Sequence, residues 1–269
     1  MEINTARFQN AFLQRVSQAL PKPEASTSQT ETTKSSGPVD GVSLSEKSAS
    51  ADILSFQAAV SAVAASATLG GVPGLAVIAQ EVARGLVTSA EEVDASNRLT
   101  EQFAATLPRV EDSRVQDSWA EVSRVTESPF EAPLVFQSFF IDAQADARTI
   151  MLGTESLKGD LASDEVLAFT LAHEEGHRQH RDTAGAAGLQ ALLDLCENDR
   201  ELYSLAYDAM SQGRQDNERR ADVFAAEAMV KLGVEKEPIL EFLGSMPGDM
   251  QHPEGAERVA LVENVFKSR

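Results

Sequence analysis

Residues 171–177 read Leu-Ala-His-Glu-Glu-Gly-His, and this stretch decides the fold that we predict. His173 and His177 are four residues apart, so on a helix both imidazoles point from one face and can reach a single metal ion. Glu174 lies roughly 100° around the helix from His173, where it can hold and deprotonate a water on that metal. The pattern is typical of a zinc-dependent peptidase.

The residues before the histidines predict a buried helix, not a charged surface helix. Segment 165–172 is strongly apolar, and Val166, Phe169 and Thr170 lie on the face that continues to His173. The histidines therefore extend a buried stripe. Because buried polar groups need partners, a metal ion would satisfy them.

A third ligand is expected from a second helix. Glu218 and Asp222 repeat the four-residue spacing, 41 residues after His177, so one carboxylate can bind the metal while the other orients a histidine. His180 lies about 10 Å along the helix axis from His173, which is awkward for one tetrahedral site. The apolar residues that follow Glu218 predict a packed helix, and Glu218 is therefore the natural third ligand.

From about residue 129 to residue 266, the chain resembles the HtpX-like and CAAX prenyl protease family of gluzincin metallopeptidases. The features that carry the resemblance follow the family's order. They are a hairpin-like stretch over 134–153, an acidic helix start at 163–165, the histidine motif at 171–177, the Glu-x-x-Ala-Asp motif at 218–222, and His252-Pro253 with Arg258 six residues after the histidine.

The resemblance implies one Zn²⁺ per chain, held by His173, His177 and Glu218. It implies Glu174 as the general base and Asp222 as the side chain that orients a ligand. The implied fold class is α+β and mostly helical, a zincin-like metallopeptidase domain with a small antiparallel sheet and an N-terminal helical region.

The same resemblance suggests that His252 and Arg258 approach the active site. There they would stabilise the transition-state oxyanion, or His252 would cap the zinc in a resting state. We expect an extended substrate backbone to pair with an exposed strand edge within 134–153, which would give endopeptidase activity with broad backbone recognition.

The rest of the chain predicts four segments. Residues 1–23 form an amphipathic N-terminal segment, 24–50 a Ser/Thr/Gly-rich flexible linker, 51–128 a helical region, and 129–269 the metallopeptidase domain. The first segment lacks the apolar core and cleavage pattern of a secretory signal peptide. This leaves a cytoplasmic protein, export by a non-Sec route, or organelle targeting.

The stretch 53–80 contains no charged residue, so it raises the question of a membrane span. Small residues dominate it and Gly70-Gly71-Val72-Pro73-Gly74 interrupts it, which favours two buried helices joined by a turn. A membrane-inserted hairpin is the alternative. Cys196 lies in an apolar helical pattern, and a single cysteine excludes an intramolecular disulfide.

The amino-acid composition limits the classes of molecule that we expect this chain to bind. The net charge is −19, from 42 acidic and 23 basic side chains, and this disfavours nucleic acid and anionic membrane surfaces. The hypothesis of a zinc endopeptidase predicts a protein or peptide substrate and a role in protein quality control or as a secreted effector. Two alternatives are a catalytically silent interaction module that retains the fold, and a membrane-tethered partner-binding protein.

Overall fold

The computed structural model describes residues 104–138, 143–195, 198 and 200–268, with scattered residues between 77 and 102. From Arg109 onward the described strands are β1 (Arg109–Val110), β2 (Leu134–Phe136), β3 (Ala143–Ala145) and β4 (Ile150–Gly153). The helices are α1 (Ser113–Thr126), α2 (Thr154–Lys158), α3 (Asp164–Gln179), α4 (Asp182–Leu195), α5 (Arg200–Leu232), α6 (Glu237–Ser245) and α7 (Gly255–Lys267). This part of the chain is mostly helical with one small sheet, as the α+β prediction requires.

The sheet is mixed, so the prediction of an antiparallel sheet is wrong. The order is β1-β2-β4-β3, with β2 parallel to β4 and the other two pairs antiparallel. The reason is that all four residues of β4 are buried. Burial of every residue means that both faces of the strand are covered, which is typical of a strand with a parallel partner. β4 lies between β2 and β3 and runs in the direction of β2.

The hairpin predicted within 134–153 is formed by β3 and β4. Asp146 closes its turn, because its Oδ1 accepts hydrogen bonds from the backbone N–H groups of Arg148 (3.0 Å) and Thr149 (2.8 Å). β3 is left at the edge of the sheet, and it packs beside α3.

α3 is the central element of this fold. It begins where the sequence predicts, because the Ser163 hydroxyl caps it by accepting a hydrogen bond from Val166 N–H at 3.2 Å. Its residues from Val166 to Gly176 are all buried, so the helix is covered by other elements around its whole circumference although His173, Glu174 and Glu175 are polar. The long helix α5 packs along one side of it and α1 along another.

One apolar core joins α1 to the helices of the histidine motif. Val115, Trp119 and Val122 of α1 belong to the same buried cluster as Phe169 of α3 and Met229 of α5. β1 also joins the sheet. The boundary predicted between residues 128 and 129 therefore does not coincide with a gap in the packing.

The predictions for 1–23, for 24–50 and for Cys196 lie outside the described residues, as does nearly all of the stretch 53–80. Within the part of the chain that the structure describes, no helix combines the length and the apolar character that crossing a bilayer requires.

If α1 is part of the core, Trp119→Ala should lower the free energy of unfolding by about 3–5 kcal/mol, because it removes a large buried ring. Trp119 is only 4% exposed. Gln116→Ala, on the exposed face of α1, should change the free energy of unfolding by less than about 0.5 kcal/mol. Urea denaturation measures both. An unchanged midpoint for Trp119→Ala would show that α1 is not part of the cooperative unit.

Candidate metal centre

α3 presents two histidines from consecutive turns. The Nε2 atoms of His173 and His177 lie 3.1 Å apart, and their rings meet edge to face with centroids 4.7 Å apart. Both Nε2 atoms therefore point toward one position beside the helix, as the four-residue spacing predicts.

α5 brings Glu218 to the same position, because the two helices approach closely. A Cβ atom at Gly176 would lie 3.2 Å from the Cα of Ala221 and 3.3 Å from the side chain of Phe224, so the missing side chain leaves room for α5. One turn before Ala221, Glu218 extends its two carboxylate oxygens toward the histidines. They lie 3.2 Å from His173 Nε2 and 3.3 Å from His177 Nε2.

Each imidazole also contacts a second carboxylate, on the side of the ring that faces away from Glu218. Asp222 Oδ1 lies 3.0 Å from His173 Nδ1, and Asp182 Oδ2 lies 2.9 Å from His177 Nδ1. Because an ionised carboxylate only accepts hydrogen bonds, each Nδ1 must be the donor. In the neutral ring each Nε2 then carries the lone pair that a metal requires.

The three inner groups fit a cation. Two imidazole lone pairs and one carboxylate converge, and His173, His177 and Glu218 offer atoms that all lie within 4.8 Å of one another. Acceptors so close together repel unless a proton or a metal ion lies among them. Two nitrogens and a carboxylate oxygen are ligands that a metal such as zinc accepts.

The pKa values reflect the same crowding. Burial opposes the charge on His173, but hydrogen bonds with Asp222 and Glu218 outweigh it and raise its pKa to about 9. Burial also opposes the charge on His177, whose bonds with Asp182 and Glu218 raise its pKa to about 10. Burial alone would raise the pKa of Glu218, but its hydrogen bonds with the two histidines outweigh burial and hold this pKa far below its usual range.

The contact between Asp182 and His177 was not predicted from the sequence. The helix of the histidine motif ends at Gln179, and Arg181 adopts a left-handed conformation (φ 55°) that turns the chain. α4 therefore starts with Asp182 folded back toward His177. An acidic residue stands five positions after the second histidine in the sequence. If α3 had continued past Gln179, however, the side chain of Asp182 would have pointed away from His177.

Arg258 is buried and reaches the site through Asp222. Its Nε donates to Asp222 Oδ2 at 2.8 Å and its Nη2 to Asp222 Oδ1 at 2.7 Å. Such a two-pronged contact fixes the carboxylate that orients His173. Arg258 also lines the cavity that His173 and Glu174 border, and its predicted contact with an oxyanion stays a prediction.

His252 lies at the rim of the same site. Its Nε2 is 3.9 Å from Glu218 Oε2, while the carboxylate of Asp249 contacts its Nδ1 at 3.1 Å. Asp249 also accepts the backbone N–H of His252 at 2.7 Å, which holds the loop in a tight turn. The ring therefore presents Nε2 toward the metal position.

Glu174 faces two openings that flank the histidines. One is a cavity of about 240 Å³ whose walls include Phe169, Thr170, Phe242 and Met246. The other has about 530 Å³ and is bordered by the edge strand β3. Both are lined by Glu174, His173 and Glu218, so a molecule in either space would lie next to the predicted base.

We expect the purified protein to contain one zinc ion per chain, and Glu218→Gln to abolish this stoichiometric content, because it removes the charged ligand. Asp208→Asn is the matched control, since Asp208 is an exposed acid on the same helix. Elemental analysis after dialysis measures the content. Full zinc occupancy in Glu218→Gln would rule this residue out as the third ligand.

The free energy of unfolding of the metal-free protein should fall as the pH rises from about 7 to about 10. Both histidines have folded pKa values above the ordinary 6.5, so their contribution is complete below about pH 6.5 and is lost as the pH passes through about 9 to 10. Urea denaturation after chelation measures this slope.

His177→Asn should flatten the pH slope, and zinc should remove it, because the metal then takes the place of the protons. A metal-free wild type with a constant urea midpoint across this range would contradict the proton-binding role of the site.

Comparison with known proteins identifies no relative of this chain. No family model matches this sequence, and no curated protein and no solved structure matches it. What the site can do therefore follows from its own geometry. Within the described residues, that geometry brings together His173, His177, Glu174 and Glu218, with Asp222 directly behind them.

Proposed function

We propose that this chain is a zinc-dependent endopeptidase of the HtpX-like and CAAX prenyl protease type, with a zincin-like fold. One observation carries the proposal. His173 Nε2 and His177 Nε2 lie 3.1 Å apart and within 3.3 Å of the Glu218 carboxylate, with both Nδ1 atoms already hydrogen-bonded to aspartates. An arrangement of this kind favours catalysis, because three protein ligands leave a fourth zinc position open.

The protein groups have separate roles in peptide hydrolysis. A zinc ion held by these ligands supplies a nucleophilic water at neutral pH and polarises the scissile carbonyl. Glu174 accepts a proton from the attacking water and delivers it to the leaving amine. Asp222 and Asp182 keep the imidazoles oriented while this happens.

His252 is the group placed to act on the carbonyl oxygen. Its Nε2 faces Glu218 across the metal position, at 3.9 Å from Oε2. From there it would donate to the developing oxyanion, or it would bind the zinc in a resting state. These two roles predict opposite changes on His252→Ala: the first lowers kcat, and the second raises activity at limiting substrate.

The edge strand β3 supports a peptide as the substrate. It borders the histidines, and among the described strands none pairs with its outer edge. An extended backbone can add to that edge by main-chain hydrogen bonds, without a requirement for a chain terminus. Phe169, Phe242 and Met246 form an apolar wall in the adjoining cavity, which favours an apolar side chain beside the scissile bond.

The decisive variant is Glu174→Gln. It should lower kcat for peptide cleavage by at least about 10²–10⁴-fold, because the amide cannot accept the proton, and it should leave the zinc content at the wild-type level. Glu241→Gln, an exposed acid on α6, is the matched control and should keep full activity. Identification of cleavage sites in a proteome-derived peptide library measures the activity.

Two outcomes would overturn the proposal. Activity that survives Glu174→Gln removes this residue as the base. A wild type that binds stoichiometric zinc and cleaves no peptide in the library identifies the chain as an interaction module that retains the fold.

A further inference from the structure

The Asp182 oxygen that does not contact His177 accepts hydrogen bonds from two arginines. Its Oδ2 accepts from His177, and its Oδ1 accepts from Arg84 Nη2 at 2.9 Å and from Arg220 Nη2 at 2.8 Å. Arg220 comes from α5 next to the metal ligands, whereas Arg84 precedes the whole metallopeptidase core in sequence. The Arg84 side chain is 12% exposed and that of Arg220 41% exposed, so water competes less for Arg84.

Arg84 is fixed by contacts at both ends. Its Nη2 also lies 2.8 Å from Gln80 Oε1 and 3.3 Å from Asn217 Oδ1. Its backbone carbonyl accepts a hydrogen bond from Arg181 Nη1 at 2.6 Å. Arg181 is the left-handed residue that starts the turn before Asp182, so Arg84 contacts this turn through both its main chain and its side chain.

Two glycines make room for these side chains. A Cβ atom at Gly185, in α4, would lie 2.8 Å from Arg84 Nη2, and one at Gly213, in α5, would lie 2.5 Å from Gln80 Nε2. Glycine within a helix is unfavourable compared with alanine. The close approach of the Gln80–Arg84 segment explains why both helices carry glycine here.

We propose that Arg84 is a positioning residue for the metal centre, through which the chain N-terminal to the core sets the affinity of the site. This rests on the proposed zinc site. Without Arg84, the buried Asp182 Oδ1 retains the more exposed Arg220 as its one partner among the described residues, and the carboxylate can rotate away from His177 Nδ1. His177 then loses the partner that directs its lone pair toward zinc.

The test is the zinc affinity of the full chain, measured by competition with a chromophoric chelator. Arg84→Gln should weaken zinc binding by about 10- to 100-fold, the usual effect of losing an outer partner of a ligand histidine. Arg98→Gln is the matched control, because Arg98 is an exposed arginine of the same part of the chain, and it should bind zinc as the wild type does.

Gly185→Ala gives an independent readout without touching Arg84. The new methyl group displaces the guanidinium from Asp182, so zinc affinity should fall although alanine favours the helix. Absorption spectra of the cobalt-substituted protein should shift in Arg84→Gln and in Gly185→Ala, because the geometry of the His177 ligand changes. General destabilisation that spares the site would leave those spectra unchanged.

Each outcome separates the two proposals. A wild type without zinc affinity refutes the metal centre and this inference together. A wild type that binds zinc tightly, with unchanged affinity and cobalt spectra in both variants, overturns this inference alone. If Arg84→Gln does not fold, Gly185→Ala decides, since its substituted position lies in a helix that alanine stabilises.

Discussion

The close crossing of α3 and α5 is the constraint on which the site depends. Gly176 and Ala221 have almost no side chain at the crossing, so the backbones meet with a Cβ at Gly176 already 3.2 Å from Ala221. An alanine at this point would require α5 to move outward by a few tenths of an ångström, and a larger side chain would move it further and withdraw Glu218 from the histidines. The glycine in the histidine motif therefore allows Glu218 to approach the two histidines.

This crossing also explains why the core must extend beyond the two helices. α3 is buried around its circumference, so it needs neighbours on every side, and α1, α5, α6 and the sheet supply them. A helix held in this way cannot rotate to relieve the repulsion between its ligands. The rigidity of the core is what keeps Nε2 of both histidines directed at one position.

The features that sequence reasoning predicts are those set by local periodicity. The histidine pair and the Glu218–Asp222 pair follow from helical spacing, which depends on no distant residue. The mixed sheet was not predictable in this way, because strand order depends on pairing between strands that are separated in sequence, such as β2 with β4. Asp182 and the contact between Arg258 and Asp222 depend on a left-handed turn and on tertiary packing, neither of which leaves a periodic signal.

Of the three carboxylates that contact the imidazoles, only Glu218 faces the position between the two Nε2 atoms. Asp222 is paired with Arg258, and Asp182 with Arg84 and Arg220, so the carboxylates behind the histidines are already balanced by guanidinium groups. Each can still accept a hydrogen bond from its imidazole, which fixes the ring without adding an unbalanced negative charge near the ligands. Glu218 contacts both imidazoles directly. A divalent ion held there would keep most of its positive charge, and that charge is what polarises a carbonyl and acidifies water. In the peptidase that we propose, the outer arginines would thus serve the reactivity of the site as well as its geometry.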